Sequence, residues 1–298
     1  MTDLGTSVLA RLKRKSKESG KSLQLLLQLF CQEEFLRRLS KSEYVDHLVL
    51  KGGMFIYTRS NFVSRSTADI DFLLQKQPGS IGDIQRMVDE IISIDTGNNF
   101  IKLISQSFET ISPQRKYKGV SFQLVGQIKN TKTPFNVDIG IGDVVVPEPE
   151  KLIIPVQLED FIPAEILTYS LESTIAEKFE ALIQRQQLTS RMKDIYDIYY
   201  LSNQFDFDGS LLQQAIWETI TNRGSFYEED SLDKVIALSQ DPDIQVRWRQ
   251  FLYRTRLPEL FLKDVLNGID KFIRPVWVSI IQEGKFDKNW SASIGTWD

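Results

Sequence analysis

Apolar and polar positions change their rhythm twice along this chain. Over residues of about 5–46, Leu9, Leu12, Leu23, Leu26, Leu27, Phe30, Phe35, Leu36 and Leu39 recur at helical intervals, broken at Ser19-Gly20, and predict two helices. From about Leu48 to Pro163 the signals shorten to strand-like runs, Phe72–Leu74, Gly119–Ile128 and Pro134–Ile141, with Ile84–Ile92 reading as a helix among them. After Pro163 the helical rhythm returns, through Tyr169–Gln187, Lys193–Ser202, Ser210–Asn222, Ser231–Ala237, Ile244–Tyr253 and Pro258–Gln282. This order predicts an α+β fold: residues 1–163 form the N-terminal helices and a mixed-sheet catalytic domain, and residues 164–298 form a helical domain.

Two segments carry chemistry on that frame. In Leu50-Lys51-Gly52-Gly53-Met54 the glycine pair lets backbone N–H groups approach a phosphate and ends one segment so that the next can return beside it. In Asp69-Ile70-Asp71-Phe72 the two carboxylates fall two positions apart, which on a strand puts them on one face. Like charges so placed repel unless a cation neutralises them, and Mg²⁺, or Mn²⁺ in its place, suits hard oxygen ligands and substrate phosphates. The plainer reading is a strand end with two solvated acids. Further on, Phe135-Asn136-Val137-Asp138-Ile139 alternates, so Asp138 faces away from Val137 and Ile139. A strand neighbouring the first two acids would make Asp69, Asp71 and Asp138 a metal cluster, with Asp138 also able to take a proton from an attacking hydroxyl. Asp143, after Gly142, reads as a turn residue.

The glycine pair, Arg65-Ser66-Thr67-Ala68-Asp69-Ile70-Asp71, Val137-Asp138-Ile139-Gly140, Ala176-Glu177-Lys178-Phe179-Glu180-Ala181-Leu182 and Arg191-Met192-Lys193-Asp194-Ile195-Tyr196-Asp197 occur here in an order that resembles the AbiEii/AbiGii nucleotidyltransferase toxins. Those belong to the DNA polymerase β-like superfamily, and the resemblance runs from about Phe35 to Leu201. It implies an NTP-dependent, pyrophosphate-releasing transferase, the toxin half of a toxin–antitoxin or phage-defence pair, with an antitoxin encoded nearby. It also implies Asp69 and Asp71 as metal ligands, Gly52, Gly53, Arg65 and Thr67 around the nucleotide, Lys178 on the triphosphate, and Asp194 as a further catalytic acid beside it in the cleft. Residue by residue, Lys178 sits at the edge of the Ile175, Phe179, Leu182 and Ile183 stripe, where a lysine can also snorkel, and Asp194 and Asp197 suit the start of a helix on electrostatic grounds alone. The chain departs from the family at Met54, where relatives carry a small or hydroxyl residue.

Composition narrows the chemistry. A single His47 makes a histidine triad or multi-histidine zinc site improbable, and a single Cys31 precludes an intrachain disulfide. No signal-like apolar start or run long enough to span a membrane is present, and the expectation is a cytoplasmic protein. The net charge of −4 argues against a broad nucleic-acid grip, which leaves local patches. Arg11–Lys17 is densely basic, and Arg247–Arg256 interleaves arginines with aromatics, each open to a solvated-helix or core-aromatic reading. The resemblance makes RNA, such as a tRNA 3′ end, the expected acceptor. A protein or small-molecule acceptor, and a nucleotide-binding non-enzyme or antitoxin, are the alternatives.

Overall fold

The computed structural model describes residues 3–111, 118–185 and 191–298. The chain divides into two compact units, one made of residues 1–142 and 150–168, the other of residues 143–149 and 169–298.

The first unit opens with α1 (Leu4–Ser19) and α2 (Leu23–Ser40), separated where Gly20 turns left-handed at φ 69° and Ser22 caps the second helix by accepting from the Leu25 N–H at 3.2 Å. The strands are β1 (Leu48–Lys51), β2 (Ile70–Leu74), β3 (Ile101–Thr110), β4 (Lys118–Ile128), β5 (Thr131–Ile141), β6 (Glu150–Ile153) and β7 (Glu165–Thr168). They form one mixed sheet in the order β3-β4-β5-β2-β1-β7-β6, in which β2 runs parallel to β5 and β1 to β7 while the other neighbours are antiparallel. Helices α3 (Gly52–Arg59) and α4 (Ile81–Ser93) complete the unit.

α2 is the core helix. Leu26, Leu29, Phe30, Phe35, Leu36 and Leu39 are buried, and Phe35 meets Phe72 of β2 edge-on at 6.1 Å. Burying nearly every face also buries Glu33, Glu34 and Arg37, which the chain satisfies with ion pairs and hydrogen bonds. Arg37 reaches Glu33 at 3.4 Å and Glu34 at 3.2 Å, and Thr96 and Asn98 donate to Glu34 at 2.6 and 2.7 Å. Glu33 also accepts the backbone N–H of Gln157 at 2.9 Å. Burial nonetheless pushes Glu33 up to about 7, against the pull of Arg37.

The second unit holds α5 (Leu171–Arg185), α6 (Met192–Gln204), α7 (Gly209–Arg223), α8 (Ser231–Ala237), α9 (Pro242–Thr255) and α10 (Leu262–Ile281). The expected extension of α5 to Gln187 lies outside the described residues. A small sheet, which the apolar rhythm does not predict, pairs β8 (Phe207–Asp208) and β10 (Thr296–Trp297) with β9 (Asn289–Ser291). Its Phe207, Trp290 and Trp297 pack on Phe272 of α10, with centroids 5.1, 5.0 and 5.6 Å away. Strands of two or three residues are too short to display an alternating pattern, so the sequence offers no signal for them.

Candidate active site

The sheet register assembles the first cluster. β1 returns antiparallel beside β2, placing Lys51 opposite Asp71, and β5 lies parallel on the other side, placing Asp138 opposite Asp71. Side chains of directly paired residues project from the same face of a sheet, so Lys51, Asp71 and Asp138 share one face, with the two carboxylates on adjacent strands. Both are half-buried. Val137 and Ile139 on the other face are buried, as the alternation in β5 predicts. Ser121 of β4, paired with Asp138, donates its hydroxyl to Asp138 Oδ1 at 2.6 Å.

Local pattern does not single out Ser121. The signal for it is the hairpin: strands joined at Lys129-Asn130 pair Ile128 with Thr131, and counting back along both strands brings Ser121 to Asp138.

Asp69 is placed differently from its partner. β2 starts at Ile70, so Asp69 belongs to the loop before it and is exposed. Two glutamines of α2 hold that loop, as the amides of Gln28 and Gln32 both donate to the Ala68 carbonyl, the latter at 2.7 Å. The expectation of both carboxylates on one strand is thus corrected: only Asp71 is a strand residue. Among the described residues, no group of three or more His, Cys, Asp or Glu side chains is arranged to hold a metal ion.

The glycine pair sits over this cluster. Gly52 takes φ +66° at the junction of β1 and α3, and a Cβ there would collide with the Asp71 carboxylate. A Cβ on Gly53 would lie 2.9 Å from Thr67 Oγ1 and 3.4 Å from an Arg65 guanidinium nitrogen. The bare backbone at the start of α3 therefore lies against Asp71, Thr67 and Arg65. A helix start with exposed N–H groups attracts anions. Met54 is fully buried, so the position after the glycine pair offers no hydroxyl, and the hydroxyl beside Gly53 is that of Thr67.

The remaining two predicted residues belong to the helical unit. Lys178 of α5 is 8 % exposed and its ammonium lies 3.1 Å from Asp194 and 2.6 Å from Asp197 of α6. Arg191 forms a second ion pair with Asp194. Lys178 and Arg191 thus both face this pair of carboxylates. Burial would raise the Asp194 carboxyl, but the charges of Lys178 and Arg191 outweigh it and hold the group below the usual carboxylate range. Asp197, which by sequence reads as a structural residue, is the nearer of the two acids to Lys178.

A separate network surrounds Arg223 of α7, which pairs with Asp143 at 3.0 Å, Glu177 at 3.0 Å and Glu180 at 2.8 Å. Although burial works against the charge, these three acids raise the guanidinium pKa. Asp143 is held as an ion-pair acceptor, and residues 143–149 are tied further to α5 by the Ser173 and Ser170 hydroxyls at the Val146 backbone. In the other basic segment, Arg11 pairs with Asp160, and Lys15 donates to the Gln157 carbonyl at 2.5 Å. Part of that N-terminal charge is thus spent within the fold.

The model of the family described as nucleotidyl transferase AbiEii toxin, Type IV TA system, matches residues 34–262. This chain belongs to that family. The protein is therefore a nucleotidyltransferase toxin of a type IV toxin–antitoxin system, a class defined with an NTP substrate and an antitoxin. Its fold is similar to that of MenT4, a nucleotidyltransferase toxin from Mycobacterium tuberculosis, at 14 % identity and a TM-score of 0.54 over 93 % of this chain and 99 % of that one. JHP933 from Helicobacter pylori aligns at 13 % identity and a TM-score of 0.49, over 88 % and 95 % of the two chains. A comparison with curated proteins gave no match. No helix among the described residues of this AbiEii-family member is long and apolar enough to cross a membrane.

Proposed function

We propose that this chain transfers a nucleoside monophosphate from an NTP to the hydroxyl at an RNA 3′ end, such as that of a tRNA, in the cytoplasm. One observation carries the reading most: Gly52, bare and left-handed, lies against Asp71, which is in register with Asp138. This proximity supports a phosphate-accepting backbone beside paired hard-oxygen ligands.

The donor set fits a divalent ion. Asp71 and Asp138, with Asp69 from the adjoining loop, would hold Mg²⁺ or Mn²⁺, which when bound neutralises charge on the triphosphate. Mg²⁺ is commonly held by a few carboxylate oxygens supplemented by water and substrate phosphates, which this donor set would leave room for. Backbone N–H groups at the start of α3, together with Arg65 and Thr67, orient the phosphates. The acceptor hydroxyl loses its proton to Asp138, its oxygen bonds to the α-phosphorus, and the bond to the bridging oxygen breaks as pyrophosphate leaves with the electron pair. Ser121 keeps the Asp138 carboxylate turned towards its work through the 2.6 Å hydrogen bond. The family pattern gives Lys178 a contact to the triphosphate and Asp194 the place of a catalytic acid, and the 3.1 Å ion pair between them is compatible with the two acting together.

Purified protein incubated with each α-labelled NTP, Mg²⁺ and total RNA should label RNA, and Asp71→Asn should reduce labelling at least ~10³-fold. Label appearing only in protein or in small molecules would replace the RNA acceptor. An active Asp71→Asn would remove the site assignment.

A further inference from the structure

α9 has one face spent on packing and another turned outward. Asp241 caps it by accepting from the Asp243 and Ile244 N–H groups at 2.8 and 3.1 Å, and Ile244, Trp248 and Leu252 bury themselves at successive turns. Trp248 donates its indole N–H to the Leu260 carbonyl at 2.7 Å, and Phe251 packs 6.0 Å from Tyr196 of α6. Two of the three aromatics in the basic segment are thereby accounted for by packing. The third is not: Tyr253 is 86 % exposed.

The arginines share its side of the helix. Arg247, Arg249, Arg254 and Arg256 are all exposed, and no acid occurs between residues 244 and 258 of a chain whose net charge is −4. Helical geometry sorts them into two rows. Arg247 and Arg254 are seven residues apart and share one flank, with about 10 Å between them along the axis. Arg249 and Arg256, the latter at the left-handed C-cap with φ 55°, have the same spacing on the opposite flank. At ~100° per residue, Tyr253, Gln250 and Val246 fall on the arc between the rows.

Two cationic rows bracketing an open phenol ring match a polyanion that also offers an aromatic face. A nucleic-acid strand supplies both at every nucleotide, a phosphate for the rows and a flat base for the ring. Bases within a duplex are already stacked, so an exposed tyrosine can stack only on unpaired ones. We propose that the outer face of α9 docks single-stranded RNA, with the arginine rows on its phosphates and Tyr253 against a base. Its biological role as an acceptor-docking surface rests on the RNA-directed transfer proposed above, whereas the binding itself does not.

Binding is therefore measured without NTP, by fluorescence anisotropy of a labelled single-stranded RNA oligonucleotide on the full-length protein. Replacing all four arginines with Gln should weaken binding by about 10²-fold at low salt and reduce the salt slope by about 3, near 0.7 for each phosphate no longer neutralised. Tyr253→Ala should weaken it by about 10-fold with the slope unchanged, Tyr253→Phe should restore it, and a duplex of the same sequence should be indifferent to both. An unaltered affinity and slope in the four-arginine variant would overturn the proposal. So would intact RNA binding in that variant together with lost neutralisation by a co-expressed antitoxin, which would make the face a protein-docking surface. Tight, α9-dependent RNA binding with no RNA labelling by wild-type protein would count against the transfer reading alone.

Discussion

Aspartates serve opposite ends in the two units. On the sheet, Asp71 and Asp138 stand side by side with like charge, half-exposed, under a helix start. Between α5 and α6, Asp194 and Asp197 are fully buried, with Lys178 paired to both and Arg191 to Asp194. The first arrangement sets two carboxylates side by side on an open sheet face, whereas the second encloses its carboxylates with Lys178 and Arg191. Residue type alone cannot distinguish them; the neighbours supplied by the fold can.

The sharpest way to break this contrast is to remove the helical cation. Lys178→Met keeps the apolar stem but takes the ammonium away from two buried carboxylates, and it should cost roughly 3–5 kcal/mol in urea unfolding. Adding Asp197→Asn should recover part of that loss. A snorkelling lysine would instead tolerate methionine, so an unchanged urea midpoint would end the claim that the Lys178 ammonium holds the two aspartates.

Glu33 lies between the two cases: buried like Asp194, but less completely compensated. Its folded pKa of about 7 exceeds the ordinary value of 4.5, so the folded state holds its proton more tightly than the unfolded chain does. The stability gained is present in full below about 4.5 and is lost as pH rises through about 7. Unfolding of wild type should therefore become easier from pH 5 to pH 8 by on the order of 3 kcal/mol relative to Glu33→Gln, which keeps an acceptor for the Gln157 N–H. Parallel pH profiles for the two proteins would show that Arg37 compensates Glu33 as fully as Lys178 compensates Asp194.

The smallest change probes the sheet side. Gly52→Ala forces a methyl group against the Asp71 carboxylate at positive φ and should cost about 1–2 kcal/mol of stability, together with most of the transfer activity. Gly97→Ala is the control: it has a similar φ of +82° but nothing within 4 Å of the added carbon. Equal transfer by both variants would show that the closeness of Gly52 to Asp71 has no functional weight.

Much of this is legible in the sequence, for identifiable reasons. Helices longer than ten residues reveal themselves by periodicity, and β5 by its alternation, which correctly turns Asp138 away from Val137 and Ile139. The return of β2 beside β1 follows from the glycine pair and its distance from Ile70. Other features depend on pairing between distant segments. The start of β2 after Asp69, the hydroxyl of Ser121 and the approach of Thr67 to Gly53 are consequences of register and loop path, which leave little trace in local pattern. Lys178 shows its position at the stripe edge, but not that two aspartates of α6 meet it there.

Residues 143–149 give this protein an uncommon kind of indivisibility. The chain leaves the sheet unit after Gly142, contributes seven residues to the helical unit, returns for β6 and β7, and leaves again after Thr168. Asp143 is one of the three acids on Arg223, and Val146 is bonded through its backbone to Ser170 and Ser173, so the excursion is structural material for the helices. No single break in the gene yields two intact halves: a fragment beginning at residue 164 would encode the helices without the segment that braces them. Fusion or exchange of either half with another protein would need two coordinated junctions, which favours inheritance of sheet and helices as one piece.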